Sequence, residues 1–173
     1  LDGQENTGAV SLSGDGTRLA YSETGDGPRV TLVDSHDASP VTSGPEAYAI
    51  VEQGFAPRGR IGYFIMENTD GNLELYLLSD SGASLVHSAL SIAAGMDMPG
   101  AHLIYMAGDY DGERALYVRD VASGSDVEVM RGEGLQFQLA APINRIFITS
   151  TQDEETTLYS AAVDGSGLVS LHT

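Results

Sequence analysis

Alternating carboxylates ahead of a glycine can open a calcium loop, and Asp109-Tyr110-Asp111-Gly112-Glu113 has that form. Counting from Asp109, the twelfth position is also acidic, Asp120. Two observations favour a hairpin turn over a cation site. The same turn chemistry recurs as Asp26-Gly27 and Asp70-Gly71, and Asp120 falls at the end of a strand-like segment. Asp153-Glu154-Glu155 is a second acidic group, read as a solvated hairpin tip. The four histidines, His36, His87, His102 and His172, occupy different copies of the repeat described below and different strand positions. A metal or catalytic site needs ligands that converge, and these phases do not bring them together. No G-x-S-x-G elbow occurs, nor a Gly-rich phosphate loop with a lysine, and Ser166 in Gly165-Ser166-Gly167 reads as a turn residue. Tyr76, Tyr117 and Tyr159 could form a carbohydrate-stacking stripe, but their repeated context assigns them to packing. On this reading no residue is assigned to catalysis, cofactor binding or metal binding.

The elements that would position these groups are set by Ser11–Tyr21, SLSGDGTRLAY. A short apolar run ends in Gly14-Asp15-Gly16-Thr17, and a second starts at Leu19-Ala20-Tyr21, which is a hairpin composition. Tyr21 has apparent counterparts at Tyr63, Tyr105 and Phe147, each 42 residues after the last. Arg18-Leu19 is echoed by Arg60-Ile61, His102-Leu103 and, shifted by one, Arg145-Ile146. A Leu-Tyr pair recurs at Leu75-Tyr76, Leu116-Tyr117 and Leu158-Tyr159, each followed by a small or acidic turn. A period of this length with strand-like contents signals an array of small sheets.

Alternation and turn signals predict four strands in each copy, sixteen in all. The expected first strands are 8–13, 47–55, 91–95 and 135–140, and the second strands are 17–23, 61–67, 103–107 and 145–150. The third strands are 29–34, 73–79, 115–120 and 157–162, and the fourth are 40–42, 83–87, 126–130 and 168–172. The fold class is therefore all-β, four four-stranded antiparallel blades over approximately 8–44, 45–88, 89–132 and 133–173, after a polar lead-in at 1–7. Tyr63-Phe64-Ile65-Met66 is apolar at every position and belongs in a strand buried on both sides. Ser88–Ala94 is the one segment that could form a helical turn.

The charge balance excludes some functions. There are 25 acidic residues against 8 basic ones, all arginine, giving a net charge of −17. Nucleic-acid and anionic-membrane surfaces need clustered cations, which are missing here. The acid excess serves solubility and suits a saline setting. There is no cysteine, hence no disulfide framework, and no apolar run approaches the roughly 18 residues of a membrane span. The first residue is Leu1, and the start is read as processed or cut from a longer chain.

Several segments resemble the TolB-like propeller repeat, with its S-P-D-G turn, basic residue, I-A-F/Y strand, L-Y strand and D-G-S turn. These are Ser13-Gly14-Asp15-Gly16 with Arg18-Leu19-Ala20-Tyr21, Ala56-Pro57-Arg58-Gly59-Arg60-Ile61-Gly62-Tyr63, and Leu158-Tyr159 with Val163-Asp164-Gly165-Ser166. The match spans about residues 8–173 and lacks both the family's Trp and a complete S-P-D-G. It implies blades around an axis with the first strand innermost. The expected register runs from an innermost strand to an outermost one and leaves no strand to latch a ring, so an open half-propeller, completed by another copy, another chain or further residues, is expected in preference to a small four-bladed ring. The resemblance also implies a periplasmic or extracellular setting and a non-catalytic scaffold for protein–protein interaction, the partner being another protein or a second copy. The alternatives are the propeller domain of a larger hydrolase or lyase and a calcium-stabilised surface module.

Overall fold

The structure, a computed structural model, describes residues 8–23, 25 and 27–172. The lead-in expected over 1–7, Asp26 of the first Asp-Gly turn and the terminal Thr173 lie outside the described residues. Sixteen strands form four antiparallel sheets, each in chain order. Blade 1 is β1 (Val10–Leu12), β2 (Arg18–Ser22), β3 (Val30–Asp34) and β4 (Pro40–Ser43); blade 2 is β5 (Ala49–Phe55), β6 (Gly62–Glu67), β7 (Leu73–Ser79) and β8 (Gly82–Ala89). Blade 3 is β9 (Ser91–Met96), β10 (His102–Gly108), β11 (Arg114–Asp120) and β12 (Asp126–Gly132); blade 4 is β13 (Gln136–Ala140), β14 (Arg145–Gln152), β15 (Glu155–Ala162) and β16 (Val169–His172). All sixteen lie where alternation places them, most with ends moved by one or two residues. Ser88–Ala94 is not helical: it joins β8 to β9. The one helical element among the described residues is a 3-10 turn at Ala141–Ile143, with Pro142 in its first turn.

The ladder registers correct one expectation. In blade 1, Ser13 N–H bonds to the Arg18 carbonyl, and the corresponding pairs are Ala56 with Ile61, Asp97 with His102, and Ala140 with Arg145. Counted from these pairs, the positions equivalent to Tyr21 are Phe64, Tyr105 and Ile148, not Tyr63 and Phe147. The third strand agrees: Tyr21 faces Thr31, Phe64 faces Tyr76, Tyr105 faces Tyr117 and Ile148 faces Tyr159. Phe64 stacks on Tyr76 with centroids 5.0 Å apart, and Tyr105 on Tyr117 at 5.2 Å. Side chains alternate faces along a strand, so Tyr63 and Phe147 lie on the opposite face from the residues they were matched with. Tyr63 instead lies across Gly54, where an added Cβ would stand 3.0 Å from its ring, and its hydroxyl donates to Glu52 Oε1 at 2.7 Å.

The chain divides into two compact units, Leu1–His87 and Ser88–Thr173. In the first, the face of blade 1 carrying Ala20, Val30 and Leu32 packs on the face of blade 2 carrying Phe64, Met66 and Leu78, with Tyr76 and Phe55 at the margin. Gly14 permits close approach of the two blades, since a Cβ there would lie 2.1 Å from the Pro57 carbonyl oxygen. The Gln53 amide of blade 2 donates to the Ala9 and Ala20 carbonyls of blade 1 at 2.8 and 3.2 Å. In the second unit the same two kinds of face meet. Ile104, Met106, Leu116 and Val118 of blade 3 pack on Ile146 and Ile148 of blade 4, with Leu135, Val163 and Tyr159.

Ile148 is buried in this core and Phe147 is half-buried on the other side of β14. Ile148→Ala should therefore lower stability by about 2–5 kcal/mol, the range for truncating a buried aliphatic, while Phe147→Ala should cost less than half as much. Urea unfolding of the two variants checks this, and a larger loss for Phe147→Ala would contradict the register.

Candidate functional site

The acidic groups do not converge. Asp109, Asp111 and Glu113 lie in the turn before β11, whereas Asp120 is that strand's last residue. At about 3.3 Å per residue the strand alone separates Asp120 from the turn by roughly 20 Å, so the twelfth-position reading fails on geometry. Glu113 pairs with Arg131 at 3.0 Å. Asp153 and Glu154 adopt φ of 50° and 67° between paired Gln152 and Glu155, the two-residue hairpin tip that positive φ at both centres defines. Among the described residues, no group of three or more His, Asp or Glu is placed to hold a metal ion.

The histidines serve local structure where their contacts are defined. His36 is exposed in the β3–β4 turn, His87 is half-buried in β8 and His172 is exposed in β16. His102 Nδ1 lies 2.8 Å from Oδ2 of the buried Asp97, whose Oδ1 accepts the His102 backbone N–H at 3.1 Å. Ser13 Oγ plays the same part in blade 1, accepting the Arg18 N–H at 2.8 Å. Ser166 is a turn residue whose N–H and hydroxyl both donate to Asp164 Oδ1, which holds the Asp164 carboxyl below its usual range. Tyr76, Tyr117 and Tyr159 belong to blade packing, the first two through the ring stacks and Tyr159 against the second core.

The feature that residue types did not reveal is a groove in the first unit. Three connections bound it: β2–β3 with Gly25, Gly27 and Pro28, β4–β5 with Pro45 to Tyr48, and β6–β7 with Asn68 and Thr69. It encloses about 670 Å³, and a neighbouring hollow of about 330 Å³ shares Gly25, Pro28 and Tyr48. Tyr48 stands between the two and is 69% exposed. Glu74 on the floor accepts from Asn68 Nδ2 at 2.9 Å and from the Tyr76 hydroxyl at 2.8 Å. Desolvation, with Glu74 beside it, pushes the Tyr76 phenol up to about 12, so it stays protonated and donating. Glu46 on the rim pairs with Arg29. An exposed aromatic with carboxylates nearby is a surface to which cationic groups are attracted.

Solved structures with this blade arrangement share the fold at low identity. The β-propeller domain of the Trilobed protease from Pyrococcus furiosus superposes with a TM-score of 0.68 at 9% identity, over 96% of this chain and 57% of that one. TolB from Acinetobacter baumannii gives 0.60 at 18%, over 99% and 45%. The fold is a TolB-like β-propeller. An oligogalacturonate lyase in complex with manganese matches at 0.59 and 13%, over 94% and 52%. The chain thus spans about half the length of these structures. No protein-family model matches the sequence, and no curated protein does. Among the described residues, no helix is long and apolar enough to cross a membrane.

The strand ends of the first propeller unit opposite the groove carry charges that are already satisfied. Arg18 reaches Asp34 at 2.8 Å within blade 1 and grips Asp80 of blade 2 through Nε at 2.8 Å and Nη2 at 2.9 Å. Arg60 of blade 2 returns the contact to Asp15 of blade 1 at 2.7 Å. These pairs tie one blade to the next, and the Arg18 hydrogen bonds hold the Asp80 carboxyl below its ordinary value. A depressed folded-state pKa stabilises above the unfolded value of about 4, and that contribution is lost as pH falls through the folded value. Asp80→Asn should therefore melt below the parent at pH 7, with the gap closing as the pH is lowered through about 4 and below. Melting curves across that range test it; a gap that stays constant with pH would remove the charge pair from the account.

Proposed function

We propose that this chain is a non-catalytic propeller scaffold in a larger ring or assembly, outside the cytoplasm, that recognises a protein partner through the loop-end groove. The observation that carries the reading is Tyr48, a large aromatic 69% exposed at the meeting of three loops, beside Glu46 and Glu74. Loops on a rigid scaffold are the usual place for recognition, and exposed aromatics supply much of the affinity at protein interfaces. A net charge of −17 steers cationic partners towards the groove and repels acidic ones. The partner is therefore a protein segment bearing Lys or Arg. The resemblance to TolB supports the extracytoplasmic setting.

A second reading is the propeller domain of a longer hydrolase or lyase. What favours it is that the Trilobed protease and the oligogalacturonate lyase contain this fold, and this chain spans about half of each matched structure. Activity would then rest on residues beyond the groove.

Panning a random peptide library on the purified chain separates the two readings. The expected result is enrichment of Lys- or Arg-containing sequences whose affinity falls at least tenfold, about 1.4 kcal/mol, on Tyr48→Ala. Binding that is indifferent to Tyr48, or no enrichment at all, would overturn the scaffold reading.

A further inference from the structure

Each unit is built by seating one kind of blade face on another. The receiving face carries Ala20, Val30 and Leu32 in blade 1 and Ile104, Met106 and Leu116 in blade 3. The inserting face carries Phe64 and Met66 in blade 2 and Ile146 and Ile148 in blade 4. Register equivalence gives the remaining face of blade 1, with Val10, Leu12, Leu19 and Tyr21, the inserting type. The remaining face of blade 4, with Gln136, Gln138, Phe147, Thr149, Leu158 and Ser160, is of the receiving type.

Both faces are open. Val10 and Leu12 are 63% and 58% exposed, and Val169 at the outer edge of blade 4 is 47% exposed. On the blade 4 face, Phe147, Leu158 and Thr149 with Gln136 and Gln138 line a depression of about 410 Å³. Leu158 occupies the position that Val30 holds in blade 1, where Val30 packs in the cluster with Phe64. Tyr21 is the equivalent of Phe64. In a chain with 25 acidic residues the ladder-paired positions of both faces carry none, and Glu23 stands at the end of the Tyr21 face, where its Oε1 accepts from the Thr31 hydroxyl at 3.2 Å. The one charge among the paired positions is Arg145, whose Nε donates to Ser160 Oγ at 3.0 Å.

We propose that a second copy of this chain covers these faces, the Tyr21 face of blade 1 in one copy seating on the Phe147 face of blade 4 in the other. The contact is heterologous: it joins two unlike surfaces, so it closes into a ring or propagates as an open chain. It deepens the assembly part of the scaffold reading and is independent of the groove, so either can fail alone. Because each copy carries a net charge of −17, added salt screens their repulsion and strengthens the association.

The test uses light scattering and native mass spectrometry on the full chain. Self-association is expected, rising with protein and salt concentration. Leu12→Glu and Gln138→Glu each place an acid on one face at an exposed position, so folding is preserved, and each should weaken association at least tenfold. Mixing the two variants should restore a one-to-one complex, because each keeps the face the other has lost. Val10→Glu mixed with Val169→Glu is a second pair with the same expectation. A wild-type chain that stays monomeric at high salt and high concentration would overturn the proposal. So would self-association that both single variants retain, or variants that lose it and do not complement.

Discussion

The pairing of the second and third strands of each sheet is the constraint on which the rest depends. One row of that ladder joins Tyr21 to Thr31, Phe64 to Tyr76, Tyr105 to Tyr117 and Ile148 to Tyr159. It decides which side chains reach each face, and so which blades can pack. The middle strands leave little room for error: Gly62–Met66 and Leu103–Ala107 are buried at every position. A slip of one residue would exchange both faces of such a strand at once. The aromatic stacks add the shape that an all-aliphatic row would lack, because two flat rings at about 5 Å fit in one register only.

Strand positions were legible because turn chemistry is local. Gly14-Asp15-Gly16 and Asp70-Gly71 announce turns wherever they stand. The face of each strand was less legible, for an arithmetical reason. Successive equivalent positions Arg18, Ile61, His102 and Arg145 are separated by 43, 41 and 43 residues, so an even spacing of 42 drifts off by one in blades 2 and 4 and returns in blade 3. Tyr63 and Phe147 are therefore aromatic at the expected interval and on the wrong face. The Leu-Tyr pair was the better marker, because Leu75, Leu116 and Leu158 stand directly opposite Ile65, Met106 and Thr149 in their ladders. The groove left no linear signal. Its walls come from three separate connections, and only folding brings Pro28, Tyr48 and Asn68 to one place.

The acidic composition takes on structural meaning once the arginines are located. Among the described residues, five of the eight form ion pairs with carboxylates: Arg18, Arg29, Arg60, Arg119 and Arg131. Arg18 and Arg131 each hold two. A planar guanidinium can bond two acceptors at once in fixed geometry, which an ammonium cannot, and a chain short of cations gains most from a cation that can be shared. Arg18 shows the consequence, since one side chain closes the strand end of blade 1 on Asp34 and fastens blade 2 through Asp80.

Carboxylates outnumber the available guanidiniums, and much of the surplus stands in turns where water solvates it, as at Asp37, Asp70, Asp153 and Asp164, while Glu52 lies within β5. The negative field is therefore strongest at the blade ends and weakest over strand faces free of acids. On the readings proposed above, a cationic partner engages the first region and two copies of this chain meet over the second. The charge distribution thus sorts the surface into a part suited to unlike partners and a part suited to like ones.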